Sequence, residues 1–330
     1  MLVVLLAGLI WVLGSRAKAR LAAKYPPPGQ MVDVGGYRLH INCQGMPVAG
    51  RPTVVMVTAH AEPGLSWASV QPEVAKFTRV CTYDRAGLGW SEPSPKPRTA
   101  SNIVEELHTL LARAGIEPPY VLVGHSIGGM YVRLYAHEHP EQVAGMVLVD
   151  ATHEEQSARM PEAIAKMQAT SNRAMGCVFA LLKAMSSTGL LAPLAKVKGG
   201  VWFMPVPREA RAAYLGTVWS GSKYFEAAKR ETLALSESLA TVRARQIQSL
   251  GDIPLIVISA GRPAITAGLG ISEADAEQFK ALAAELHIEM AALSPRGKRV
   301  IAEESGHYVP VEQPQVVVDA IREVVEAARG

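Results

Sequence analysis

The stretch with the clearest chemical content is YVLVGHSIGGMYVRLYA, residues 120–136, where Gly124-His125-Ser126-Ile127-Gly128 spells G-x-S-x-G. A strand-like apolar run precedes the motif and a helical run follows it. In that setting the five residues form a sharp strand-to-helix turn that lifts the Ser126 hydroxyl above a sheet, and the small residues let the backbone fold tightly beneath it. The hydroxyl then sits at a helix N-terminus, and the Ile127 amide points to where negative charge collects on an attacked carbonyl. A glycine-rich turn with a capping serine is the blander alternative, which the flanking strand and helix disfavour.

A serine hydroxyl needs a base to take its proton and an acid to orient that base. His307 in ESGHYVPVEQP follows the last strand-like run and precedes the closing helix, so the chain order Ser, acid, His holds. His108, His137, His139 and His287 fall in helical stretches or at their ends, and His125 shapes the turn. For the acid, Asp150 ends VAGMVLVD at the mouth of a parallel sheet, where sites collect. Glu273 and Asp275 in SEAD are the alternative. Asp275 is also explained as the capping-box partner of Ser272, and Asp150 is favoured. Asp84 and Arg85 in YDRAGLGWSEP read as a structural turn with no chemistry assigned.

Positioning these residues requires a particular set of elements. MVDVG and YRLHINC read as a hairpin; TVVMVT, TRVCTYD, YVLVGH, VAGMVLVD, IPLIVISA and KRVIAE read as further strands. Near-continuous apolar runs are buried on both faces, so the sheet is mostly parallel and helix-covered. Ile103, Leu107, Leu110, Leu111 and Ala114 form one apolar helical stripe, with Asn102 and Glu105 as a capping pair. Residues 151–250 contain no convincing strand but carry Met160, Met167, Met175, Met185 and Met204, with Trp202, Phe203, Tyr214, Trp219, Tyr224 and Phe225. A loop of that length is improbable in a packed domain, so this is expected to be a helical insertion.

Charge excludes one class of partner. The 330 residues carry 33 Lys+Arg against 30 Asp+Glu, but Arg16, Lys18, Arg20 and Lys24 lie in residues 1–30, which hold no acid. The remainder has no basic surplus for a phosphate backbone, so no nucleic-acid role is expected. The apolar run MLVVLLAGLIWVLG opens the chain, and its bases follow it. Fourteen helical residues rise about 21 Å, a marginal span. The expectation is an uncleaved membrane anchor through residues 1–24 with the body on the cytoplasmic side; a helix buried against the body is the alternative. Cys43, Cys81 and Cys177 lack metal-ligand spacing, so no metal is expected.

Taken together, VDVGGYRLHINCQG, YDRAGLGWSEP, VLVGHSIGG, GMVLVDATHEE and SGHYVPVEQP resemble the α/β-hydrolase fold superfamily, in its serine-nucleophile esterase and proline-iminopeptidase-like branch. The resemblance covers residues 31–330. It implies an α/β fold with an eight-stranded sheet whose antiparallel second strand lies beside the fourth, which would let Cys43 and Cys81 meet. A disulfide there would contradict a cytoplasmic body. It further implies an N-terminal membrane segment (1–30 with its linker), a core in two parts (31–150 and 251–330) and a cap over the site (151–250). Where the family usually has H-G-x-G or G-x-G after the third strand, this chain has Ala59-His60-Ala61. The second oxyanion donor is by position the His60 amide, and whether alanines allow that backbone geometry is open.

The activity expected is hydrolysis of a carboxylic ester of a small to medium hydrophobic substrate, of the carboxylesterase type. Ser126 is the nucleophile, His307 the base, Asp150 the orienting acid, and the His60 and Ile127 amides the oxyanion donors, with no cofactor. Two other readings stand beside it. One is an aminopeptidase or amidase using Glu154, Glu155 or Glu226 to bind an amine. The other is a non-catalytic, membrane-tethered binding protein on a hydrolase scaffold.

Overall fold

The strand-like runs assemble into one sheet. In the computed structural model, which describes residues 2–189, 191, 206–263 and 271–328, the strands are β1 (Gln30–Asp33), β2 (Arg38–Gln44), β3 (Thr53–Val57), β4 (Val80–Tyr83), β5 (Tyr120–His125), β6 (Val143–Val149), β7 (Leu255–Ala260) and β8 (Gly297–Ala302). Their order is β1-β2-β4-β3-β5-β6-β7-β8. Strand β2 runs antiparallel to both neighbours, and every pairing from β4 onward is parallel. All residues of β4 and β5 are buried, which is why these strands read as unbroken apolar runs.

Alternation along each strand sends side chains to two cores. Val55, Val57 and Leu122 face α3 (Ala100–Arg113) and α4 (Ile127–Glu138). Val54, Met56, Val121, Val123, Val147 and Val149 face α11 (Pro314–Ala327), which presents Val317, Val318, Ile321, Val324 and Val325. Helix α3 buries the predicted stripe of Ile103, Leu107, Leu110 and Leu111. Its N-cap, however, is Thr99 and not Asn102, whose amide donates to Pro97 O at 2.9 Å. Between β6 and β7 lie α5 (Gln156–Arg159), α6 (Glu162–Ser187), α7 (Arg211–Trp219) and α8 (Lys223–Ala244), with no strand among the described residues. Tyr214, Leu215, Val218, Trp219, Tyr224 and Phe225 pack together onto Leu88 of the turn after β4. Trp202, Phe203 and Met204 fall outside the described residues.

The N-terminus differs from the expected anchor. Helix α1 (Leu2–Lys24) forms, yet among the described residues no helix is long and apolar enough to cross a membrane. Its second half carries four bases, Arg16, Lys18, Arg20 and Lys24, which follow the apolar run. The second half of the helix lies against the insertion, where Lys18 Nζ donates to Ser187 O at 2.7 Å and Leu21 packs with the Tyr214–Trp219 cluster; just beyond the helix, Tyr25 O accepts from Trp90 Nε1 at 2.8 Å. Leu9, Trp11 and Leu13 remain exposed. Cys43 stands directly opposite Cys81 in the β2–β4 register, and the two form a disulfide. Disulfides persist in oxidising compartments, so this bond is at odds with the cytoplasmic placement.

Candidate active site

Strand β5 ends at His125, helix α4 begins at Ile127, and Ser126 makes the turn between them with φ 54° and ψ −122°. That conformation costs an L-residue about 1–3 kcal/mol and persists only where its surroundings impose it. The Ser126 N–H donates to Val149 O at 3.0 Å, and Ser126 O accepts from the amides of Gly129 (3.0 Å) and Thr152 (2.9 Å). The glycines make the close approach possible. A Cβ on Gly124 would lie 2.6 Å from the Gly128 backbone, and one on Gly128 would lie 2.5 Å from Val57 O. Among the described residues the Ser126 hydroxyl makes no hydrogen bond of its own.

Asp150 and His307, far apart in sequence, are brought into contact. Asp150 leaves the end of β6 with its N–H on Ile258 O (2.7 Å), and its Oδ1 accepts from the Ala260 amide (3.0 Å), so one bond to β7 holds its backbone and another its carboxylate. Its Oδ2 accepts from His307 Nδ1 at 2.6 Å. This contact puts the proton on Nδ1 and leaves Nε2 as the basic nitrogen. The loop after β8 that carries His307 is held by Glu312, whose Oε2 accepts from the Gly306 amide at 2.6 Å. His125, next in the chain to Ser126, donates from Nε2 to His307 O at 2.7 Å, so the elbow and the imidazole loop are directly joined. The Ser–His hydrogen bond itself is not formed, and such contacts commonly tighten when substrate is bound.

Electrostatics suit a base. Burial opposes charge on His307, but the bonded Asp150 carboxylate outweighs it, with help from Glu62 and Glu312, and the imidazole pKa lies above its ordinary value. Burial likewise opposes ionisation of Asp150, yet His307, His287 and the Ala260 N–H hold its pKa low. His287 backs this pair. Its Nε2 lies 4.0 Å from Asp150 Oδ1 and 3.3 Å from Ala151 O, while Ser259 Oγ meets its Nδ1 at 2.8 Å. The alternative acids are occupied elsewhere. Ser272 and Asp275 form a capping box at the start of α9 (Glu273–Ala291), and Glu273 sits in its exposed first turn.

The turn after β3 takes a conformation its sequence does not advertise. Ala61 has φ 55°, a left-handed region that costs an alanine about 1–2 kcal/mol. Arg85 holds the turn from one side, donating from Nη1 to Thr58 O (2.8 Å) and from Nη2 to Ala59 O (2.7 Å). Thr58 Oγ1 donates to Glu62 O at 2.7 Å, and the Ala61 amide donates to Glu231 Oε2 at 3.1 Å. Neither the His60 nor the Ile127 amide has an acceptor among the described residues, which leaves both free for an oxyanion. The His60 side chain is turned aside. Thr232 Oγ1 donates to Ala228 O at 2.9 Å, so His60 Nε2 is the donor in the 3.1 Å contact with Thr232.

Several residues here have no sequence signal. Arg85, read as part of a structural turn, forms a buried ion pair with Glu231 of α8 at 2.8 Å and 3.0 Å; breaking one partner of such a pair costs about 3–5 kcal/mol. Glu231 is held ionised at about 2, because Arg85 outweighs a burial that opposes charge. Asp84 does behave structurally, accepting from the amides of Gly64 (2.7 Å) and Trp90 (2.9 Å). Glu62 is buried with Oε2 3.9 Å from His125 Nδ1; burial opposes its charge, but His125, Ser66 and His307 keep its pKa low. Glu154, Glu155 and Glu226 are already paired with Arg133, Arg243 and Lys183.

A family model described as alpha/beta hydrolase fold matches residues 52–248. An uncharacterised protein of Schizosaccharomyces pombe is 27% identical over 266 residues, covering 71% of this chain and 46% of that protein. The chain spans less than half the length of the first curated relatives it matches, 46% and 20%. Among solved structures, the epoxide hydrolase CorEH superposes with a TM-score of 0.64 at 17% identity, covering 89% of this chain and 97% of that one. A thermophilic esterase from Thermogutta terrifontis superposes with a TM-score of 0.61 at 19% identity, covering 91% and 99%. At these identities the structural likeness is one of fold.

Proposed function

The chain belongs to the α/β-hydrolase fold family, and on that premise we propose that it is a serine hydrolase that cleaves a carboxylic ester through an acyl-enzyme. One observation carries the reading: the 2.6 Å bond between Asp150 Oδ2 and His307 Nδ1, beside a serine held at φ 54°. In this reading His307 Nε2 takes the Ser126 proton as Oγ attacks the ester carbonyl, and the His60 and Ile127 amides receive the oxyanion. The protonated imidazole then gives its proton to the departing alcohol, and water repeats the sequence on the acyl-enzyme. Asp150 holds the ring and stabilises its charge. A serine at the elbow disfavours epoxide opening, which needs a carboxylate nucleophile.

The α5–α8 segment acts as the cap. Its Met- and aromatic-rich sequence supports a hydrophobic acyl or alcohol group. The amidase reading is weaker because Glu154, Glu155 and Glu226 are each committed to an ion pair. A fluorophosphonate probe tests the proposal. The wild type is expected to be labelled and Ser126→Ala to stay unlabelled, whereas a folded wild type that resists labelling favours a binding protein. Hydrolysis of p-nitrophenyl esters of rising chain length, set against proline and alanine arylamides, then separates ester from peptide bonds.

A further inference from the structure

Resting on that serine-hydrolase reading, we propose that Glu231 is a positioning residue for the oxyanion hole: from the cap helix it holds the 58–62 turn in the one conformation that leaves the His60 N–H free. The turn lacks the glycines that would adopt this shape unaided, and Ala61 sits at φ 55°. Five of its polar groups are tied by these bonds. Arg85 takes Thr58 O and Ala59 O, Thr58 Oγ1 takes Glu62 O, and Glu231 Oε2 takes the Ala61 N–H at 3.1 Å. The Ala61 bond acts directly on the strained residue, so it opposes the relaxation that would swing the preceding amide away.

Glu231 is itself fixed. Its side chain is fully buried, both carboxylate oxygens meet Arg85, and the next residue, Thr232, receives the His60 imidazole N–H at 3.1 Å. Two successive residues of α8 therefore grip the turn, one through its backbone and one through its side chain. Because α8 belongs to the insertion between β6 and β7, the second oxyanion donor is set by the seating of the cap, whereas the Ile127 donor belongs wholly to the core. A cap that lifts removes one donor and spares the other.

Neutralising Arg85 is the competing role for Glu231, and Glu231→Asp separates the two. Aspartate keeps a carboxylate for Arg85 but withdraws the oxygen from the Ala61 amide. With the full chain and p-nitrophenyl butyrate, Glu231→Asp is expected to lower kcat by about tenfold to hundredfold with KM changed by less than about threefold. Adding Ala61→Gly restores most of kcat, since glycine holds a positive φ without help, even if the melting temperature stays low. Should Glu231→Asp fail to fold, Ala61→Val leaves the ion pair intact and is expected to show the same kcat loss. Full kcat in Glu231→Asp or in Ala61→Val, or no rescue by glycine, overturns the inference while wild-type labelling by fluorophosphonate still stands. An unlabelled wild type overturns both.

Discussion

In the proposed mechanism the elbow at residues 124–129 and the turn at residues 58–62 each supply one backbone amide to the oxyanion, and they are held in shape by different means. At the elbow, side chains are left out: Gly124, Gly128 and Gly129 let the helix start lie directly on the strand before it and on the end of β3. At the turn, Ala61 holds a positive φ where a glycine would be easier, and a buried ion pair between Arg85 and Glu231 of the cap supplies the restraint. Conformation imposed by missing atoms is local and always present. Conformation imposed by a partner element depends on that element staying in place, so the two donors differ in what can switch them off.

Neither donor contributes unless His307 can take the serine proton, so the largest expected effect comes from the residue that orients it. Asp150→Asn leaves both turns intact and is expected to lower kcat by about 10⁴-fold, with an unchanged circular dichroism spectrum. That residual rate measures what the two amides and substrate binding achieve without an oriented base. Near-normal turnover would instead return the acid role to Asp275 or Glu273. A smaller effect is expected where the two regions touch. A Cβ on Gly128 would lie 2.5 Å from Val57 O and 2.7 Å from Thr58 O, both backbone atoms that lead into the turn. Gly128→Ala is expected to cost about 1–3 kcal/mol by overpacking, read as a melting-temperature drop of several degrees. Its kcat falls as well, because the displaced strand end carries the second donor with it. A variant with wild-type stability would show that the elbow tolerates a side chain and that the contrast with the turn is not one of packing.

The same contrast explains what the amino-acid sequence disclosed. Glycine-dependent geometry leaves a spacing that can be read directly, so G-x-S-x-G with a strand before it located Ser126 and Ile127. The order of strands, and the resemblance that implied it, placed Asp150 and His307 at one sheet edge, where they do meet. The support of the 58–62 turn left no such trace, because Arg85 and Glu231 lie 146 positions apart and the YDRAGLGWSEP segment that holds Arg85 does not name its partner. The N-terminal segment is less legible for a related reason. An apolar run asks for an apolar partner without naming it, and the contacts that α1 makes with the insertion come from its basic half, through Leu21 and Lys18. Likewise Asn102 matched a capping pattern, yet the helix begins after Thr99, three residues earlier, with no side-chain capping bond at that position.

Glu62 is the link between the two regions and the site of the smallest effect. It closes the turn through its carbonyl, which accepts from Thr58, while its carboxylate faces His125 at 3.9 Å, and His125 in turn donates to the His307 carbonyl. Its charge is among those that raise the His307 pKa. A base works in its neutral form, so kcat/KM rises with pH as the imidazolium loses its proton, and a raised pKa sets that limb at higher pH. Glu62→Gln removes a negative charge from beside the imidazolium, which lowers the His307 pKa and moves the acid limb of the profile to lower pH, with the plateau little changed. The shift is smaller than any produced by loss of Asp150, which bonds the ring directly. If the limb stays where it is while the plateau falls, Glu62 acts on the turn and not on the base, and the coupling of the two regions runs through backbone geometry alone.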